Sequence, residues 1–493
     1  MQAVETKSET KLAGRTLRDT SGYMAGQIAL LLAGFLTFPL FTRLMSRSDY
    51  GTLSLINTSL SLLLLILGLG LPNAVVRFFS EYAKGGPDRL QRFNMTQLAG
   101  SVCSSLIGCT VLLGASFVIH PSPQNAAFVS GFRYIACVLV SRAALNILLE
   151  ILRMGRRVGL YNAVAISQRV GNAAGAVIGF LLFRSLHGVL AGIFLGETVL
   201  AIVASLVAYR EGYISFTALD LDELRASVKF AAPIMFASLA GSVMAYADRY
   251  IIQAYLGSEA VAIYAVPYDL CGYIQVLLLT SFRLGVLPEL VSRYTEFGEK
   301  AASEFLSRAF RYVGWLVIGA GFGFAAIGSG AITALASNKY ADAGALLPFL
   351  IPGVMLGGLD FIFATGLYLK KRNDLWFYIA ALAVVLNIGL NIVMVPMFGI
   401  KGAAVATLLS YIAQEAAVYY VSNRFVKLRL DIGSLLRATV SAALMFLIIT
   451  RIHFLPGGIA GLLMTAGLGT LVFGALHLAM EKDSRQLLWG QRS

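Results

Sequence analysis

LSLINTSLSLLLLILGLGL, residues 53–71, carries no charge. About 20 mostly apolar residues are what an α-helix needs to cross the hydrocarbon layer. Helix is the form such a run takes there, because a backbone in lipid must satisfy its own hydrogen bonds. Similar runs recur at Gln27–Phe41, Val102–Ile119, Leu375–Met397 and Ala442–Ile449. The chain of 493 residues is 58% hydrophobic and 13% charged. A soluble domain carries about 25% charge. The reading is an all-α integral membrane protein with about fourteen transmembrane helices. The short alternating segments of an outer-membrane barrel are absent. The polar start, Met1–Arg18, shows no cleavable signal pattern, so the first span reads as an uncleaved anchor.

Charge distribution gives an orientation. With the N-terminus inside, 28 Lys and Arg fall in the inner loops and 6 in the outer ones. Cytoplasmic loops carry the excess of basic residues. Both termini are therefore expected in the cytoplasm, with the chain in a bacterial inner membrane. The formal charge of +13 comes from these loops, so nucleic acid is not an expected partner. Cys103, Cys109, Cys137 and Cys271 lie within spans at no ligand spacing, and no metal site is expected.

An internal repeat organises the spans. Pro72-Asn73-Ala74-Val75-Val76-Arg77-Phe78 is answered by Pro288-Glu289-Leu290-Val291-Ser292-Arg293-Tyr294. The turn at Leu186–Ala191 is answered by Met397–Gly402 in the same order. Repeats of this kind are common in transporters. The expected domains are an N-terminal lobe of helices 1–6 (1–210), a cytoplasmic linker (211–226) and a C-terminal lobe of helices 7–12 (227–425). Two further helices and a tail (426–493) follow. The lobes would be pseudo-symmetric six-helix bundles.

Three stretches carry a family resemblance: FPLFTRLMSRSDYG (38–51), ADRYIIQAYLGSEAVAIYAV (247–266) and NIVMVPMFGIKGAAVATLLS (391–410). They resemble hairpins of the Wzx-type polysaccharide and O-antigen flippases. That branch belongs to the multidrug/oligosaccharidyl-lipid/polysaccharide exporter superfamily. The resemblance implies a MATE-like fold with two bundles around a central cavity, alternating between inward-open and outward-open states. It also implies a flippase, not an enzyme. The cargo would be an undecaprenyl-pyrophosphate-linked oligosaccharide bound for lipopolysaccharide or other polysaccharide biosynthesis. Polymerase or ligase machinery would be a partner. No cofactor is implied, beyond H⁺ or Na⁺ coupling.

Five arginines fall inside apolar stretches: Arg133, Arg142, Arg169, Arg249 and Arg283. A guanidinium at that depth is costly and faces protein or a wet cavity. Residues four, seven or eleven apart share a helix face, at about 100° per residue. Arg142 and Asn146 share one stripe, Arg169 and Asn172 a second, and Asp269 and Arg283 a third. Arginine suits phosphate because its planar fork bonds two oxygens at once. The candidate cargo-binding set is Arg142, Arg169, Arg283, Asn146 and Asn172. The candidate gating or ion-coupling set is Arg77, Asp248, Arg249, Asp269, Asp360 and Glu197. An opposing reading stands beside this one. Glu197 could pair with Arg142 or Arg169, and Arg249 with Asp248 or Asp269, purely to fix helix packing.

Two other functions stay open at this stage. A cation-coupled multidrug exporter of the same superfamily would want an acidic residue deep in the first or seventh span. A membrane-embedded glycosyltransferase or ligase would want large outer loops bearing catalytic groups. The sequence has neither feature, and it contains no phosphate-binding lysine loop.

Overall fold

The computed structural model describes residues 22, 26, 29–30, 32–118, 126–216, 219–451 and 458–481. The polar stretch Met1–Arg18 and the tail beyond residue 481 lie outside the described residues. Helices in chain order are α1 (Leu32–Leu44), α2 (Arg47–Leu67), α3 (Leu71–Lys84), α4 (Pro87–Val118), α5 (Ala126–Met154), α6 (Val158–Phe183), α7 (Leu186–Arg210) and α8 (Leu221–Leu256). After them come α9 (Ser258–Ala336), α10 (Leu347–Gly357), α11 (Asp360–Phe363), α12 (Thr365–Leu369), α13 (Asn373–Ser422), α14 (Ile432–Thr450) and α15 (Gly458–Met480). A 3-10 turn, Asn338–Leu346, links α9 to α10. Twelve of the described segments are long and apolar enough to cross a membrane. Gly399 breaks α13 into two, and the short apolar α1 adds one more, which gives the fourteen expected.

The chain divides into two compact units. One comprises Met1–Phe38 with Thr52–Val243, and the other Pro39–Gly51 with Met244–Ser493. In the first, the core is built where α3, α5 and α7 meet. Leu71, Val75, Leu145, Leu148, Ile151 and Leu152 are buried there against Ala201, Ala204 and Ala208. In the second, Gly314 and Gly319 of α9 leave room for Leu435 of α14 and Phe473 of α15. The Trp315 indole donates to Ser434 at 2.8 Å.

Two spans run differently from the simplest sequence reading. The charge-free run 53–71 reads as one span. It stops at Leu67 instead, and Leu69 and Gly70 take left-handed backbone (φ 51° and 68°) before α3 begins. Pro72 sits in the first turn of α3, where its missing N–H costs nothing. Pro288, its repeat counterpart, lies inside α9, so the two prolines share a motif but not a local structure. The eighth and ninth spans form one long helical run interrupted at Gly298 (φ 81°), with no separate loop.

The α6–α7 hairpin shows why small residues recur. Gly175 and Gly179 of α6 meet Gly192 and Gly188 of α7 backbone to backbone. Small residues at four-residue spacing let transmembrane helices approach this closely. Arg184 turns the chain in left-handed backbone (φ 49°), and the Ser185 hydroxyl caps α7 by accepting from Gly188 N–H at 3.2 Å. In α13 the Gly399 turn (φ 62°) likewise brings Gly402 against the Met394 carbonyl.

A branched side chain at Gly188 would strike the Gly179 carbonyl, whereas Gly171 on the same hairpin has open space. G188V should destabilise by about 1–3 kcal/mol or more through overpacking. G171A should be neutral or slightly stabilising. A thermal-shift series on purified protein reads both, and an unaltered midpoint for G188V would contradict the packing.

Candidate functional site

The polar side chains of the first unit converge on one carboxylate. Glu197 of α7 is fully buried. Arg142 of α5 closes on it with two nitrogens, its Nε donating at 2.8 Å. Asn172 of α6 donates its amide at 2.5 Å. Next to the pair in sequence, the Ser141 and Thr198 hydroxyls bond at 3.0 Å. Three helices are thus tied through a single acid. Asn146, one turn from Arg142, is half-buried.

Arg169 stands apart from that pair. It is exposed and has no ion-pair partner among the described residues. Its guanidinium lies over Gly34 of α1, where an added Cβ would come within 2.5 Å of it. Two turns earlier on the same face of α6, Asn162 donates to the Gly22 carbonyl at 2.9 Å and packs on Gly26. Gly22, Gly26 and Gly34 therefore clear a path for the polar face of α6. The sequence reading missed these glycines, although their spacing of four and eight places them on one helical face. Two guanidiniums and one carboxylate leave this cluster with a surplus positive charge.

The second unit holds a different arrangement. Asp248 is fully buried and Arg249 is 4% exposed, so neither reaches out along the surface. Asp248 accepts from the Tyr264 hydroxyl, from Thr407 at 3.3 Å and from Arg249 N–H at 2.8 Å. Arg249 donates to Asp269 at 2.8 Å, and its guanidinium lies 5.2 Å and 5.4 Å from the Tyr246 and Tyr268 ring centres. Such ring contacts stabilise a desolvated cation. The single indole N–H of Trp376 is shared between the two carboxylate oxygens of Asp360 of α11, at 3.0 Å and 3.1 Å. Arg283 is exposed with no ion-pair partner among the described residues, and its charge reaches Asp360.

The remaining candidates sit elsewhere. Arg77 is exposed on α3, with its guanidinium 5.3 Å from the Phe78 ring centre. Arg133 lies 4.7 Å from the centre of Phe117, with Ser116 accepting at 3.4 Å. The structure thus joins Arg142, Asn172 and Glu197 in one cluster and Asp248, Arg249 and Asp269 in another. Arg169 and Arg283, one in each unit, keep their charge toward open surface. Among the described residues there is no cluster of His, Cys, Asp and Glu suited to a metal ion.

Comparison with known proteins places this architecture. Residues 16–292 match the polysaccharide biosynthesis protein family, and the chain belongs to that family. It is 23% identical to the probable low-salt glycan biosynthesis flippase Agl15 of Haloferax volcanii, over 83% of this chain and 84% of that relative. Its fold matches the lipid II flippase MurJ in an inward-closed conformation, with a TM-score of 0.73 at 14% identity, covering 95% of this chain and 99% of that one. An inward-facing multidrug resistance MATE transporter of the MOP superfamily matches with a TM-score of 0.63 at 12% identity, over 83% and 95%. The protein is therefore a multi-pass membrane protein of a polysaccharide-biosynthesis family, with the fold shared by flippases and multidrug transporters.

Breaking a buried ion pair from one side strands the other charge and costs about 3–5 kcal/mol. E197A should therefore lower the thermal midpoint sharply. The double variant R142M/E197M should recover most of the loss, because it removes both charges. A double variant no more stable than E197A would show that the pair is not what holds α5, α6 and α7 together.

Proposed function

We propose that this protein is a secondary transporter that flips an anionic, undecaprenyl-pyrophosphate-linked oligosaccharide across a bacterial inner membrane by alternating access. The movement runs from the cytoplasmic to the outer leaflet, with both termini cytoplasmic. The observation that carries this reading is the open charge of Arg169 and Arg283. Each is an exposed guanidinium in an apolar helix with no ion-pair partner among the described residues. A cation at that depth with no ion-pair partner is costly, and an anionic cargo supplies the direct partner that Arg169 lacks and that Asp360, which Arg283 reaches only through its field, does not provide. Arg142 orients the site while Glu197 holds it, and Asn146 and Asn172 offer amides for sugar hydroxyls or phosphate oxygens.

An outside-positive membrane potential favours outward movement of an anion by about 2.3 kcal/mol per charge per 100 mV. H⁺ or Na⁺ coupling through Asp248, Asp269 or Asp360 would add to it. Polymerase or ligase machinery would take the product. A multidrug exporter with cationic cargo would need a carboxylate open to that cargo. Asp248 is closed over by Tyr264 and Thr407, and Glu197 by Arg142 and Asn172.

Charge-assisted hydrogen bonds are each worth about 1.5–3 kcal/mol. R169A and R283A should therefore each lower complementation of a flippase-deficient strain by about tenfold or more at wild-type expression. R169K should fall in between, because it keeps the charge and loses the fork. Full activity in both alanine variants would remove the arginines from cargo recognition.

A further inference from the structure

The second unit contains a buried carboxyl that neither the fold nor the cargo reading uses. Glu415 of α13 is 2% exposed. Its Oε1 accepts one long bond, 3.3 Å, from the neighbouring Gln414 amide. Its Oε2 is buried with no hydrogen-bond partner among the described residues. No described cation pairs with it either. A carboxylate so placed would carry a full charge in apolar surroundings without compensation. Such a group neutralises instead.

What faces Glu415 follows from the packing of α10–α12 on the second half of α13. A Cβ at Gly353 would meet Leu408 at 3.3 Å, one at Gly357 the Tyr411 ring at 2.5 Å, and one at Gly366 the Ser422 carbonyl. Phe363 packs on Tyr419 with ring centres 6.1 Å apart. All four contacts share an offset of about 55 residues. The same register sets Asp360 opposite Glu415.

The two acids are not equivalent. Asp360 accepts the single Trp376 indole N–H across both its oxygens, a contact that suits a charged acceptor. Glu415 has only the long bond from the Gln414 amide. Tyr411, one turn earlier on its own helix, is the other ionisable group beside it. Two carboxyls facing each other in a buried place cannot both ionise, and they share one proton.

We propose that Glu415 and Asp360 form a proton-binding site, with Glu415 carrying the proton and Asp360 the charge. No metal cation is needed to explain it. The site is separate from Asp248, which already has three donors. Any link to transport rests on the flippase reading above. The carboxyl itself is tested independently of that reading.

Dicyclohexylcarbodiimide adds to protonated carboxyls in apolar surroundings. Full-length protein in lipid nanodiscs is treated with it across a pH series, and adducts are located by peptide mass spectrometry. Glu415 should be labelled at neutral pH, Asp360 much less, and labelling should fade as pH rises. In D360N the midpoint of labelling should move to lower pH by about one unit or more, because the like charge that discourages ionisation is gone. Sodium chloride should protect no better than choline chloride at equal strength. The proposal is overturned if Glu415 stays unlabelled at every pH in monodisperse protein, or if Asp360 is the labelled group. A midpoint unmoved in D360N would overturn the pairing. Specific protection by sodium would make it a metal-cation site.

Discussion

A carboxylate with no exposure to solvent survives at Glu197 because Arg142 closes on it from one helix and Asn172 from another. The rest of the first unit is arranged around that constraint. Leaving Arg142 out would strand a charge in apolar surroundings, at a cost far above that of a single packing defect. The pair therefore fixes the register of α5, α6 and α7, and the glycine hairpin between α6 and α7 lets the amide of Asn172 come close enough to join. Once Arg142 is held in this way, Arg169 on the next stretch of α6 is left with its charge unspent. A closed ion pair and an open charge are thus divided between two arginines that the sequence presents as equals.

The second unit solves the same physical problem with opposite bookkeeping. Its buried cluster holds two acids, Asp248 and Asp269, against one base, Arg249, and uses tyrosine rings and hydroxyls to make up the difference. The first unit has a surplus cation and the second a surplus anion. The two clusters thus differ in the sign of their unbalanced charge.

Much of this was legible beforehand. Apolar runs of spanning length gave the helices, and the Met397–Gly402 turn gave the break at Gly399. The arginines within apolar stretches included Arg142 and Arg249, which the structure pairs with Glu197 and Asp269. Pairing was harder to see, because periodicity shows which residues share a face of one helix and not what faces them. Glu197 stood as a partner for either Arg142 or Arg169, and only the packing of α5 on α7 decides for Arg142. Asp248 read as a residue near a helix end, yet Tyr264 on the next helix and Thr407, 159 residues away, close over it. The second-span break was hidden as well, since Leu69 in left-handed backbone is disfavoured locally and is held there by its surroundings. Gly22, Gly26 and Gly34 looked like ordinary membrane-helix glycines until Asn162 and Arg169 were seen lying over them.

The account stands on the claim that the open arginines serve an anionic lipid-linked cargo. The direct measurement is flipping in reconstituted vesicles with two fluorescent prenyl-linked oligosaccharides, one joined by a diphosphate and one by a neutral ether. The account predicts protein-dependent movement of the diphosphate lipid and little of the ether. Equal movement of both, or of neither while a cationic drug is exported, would contradict it.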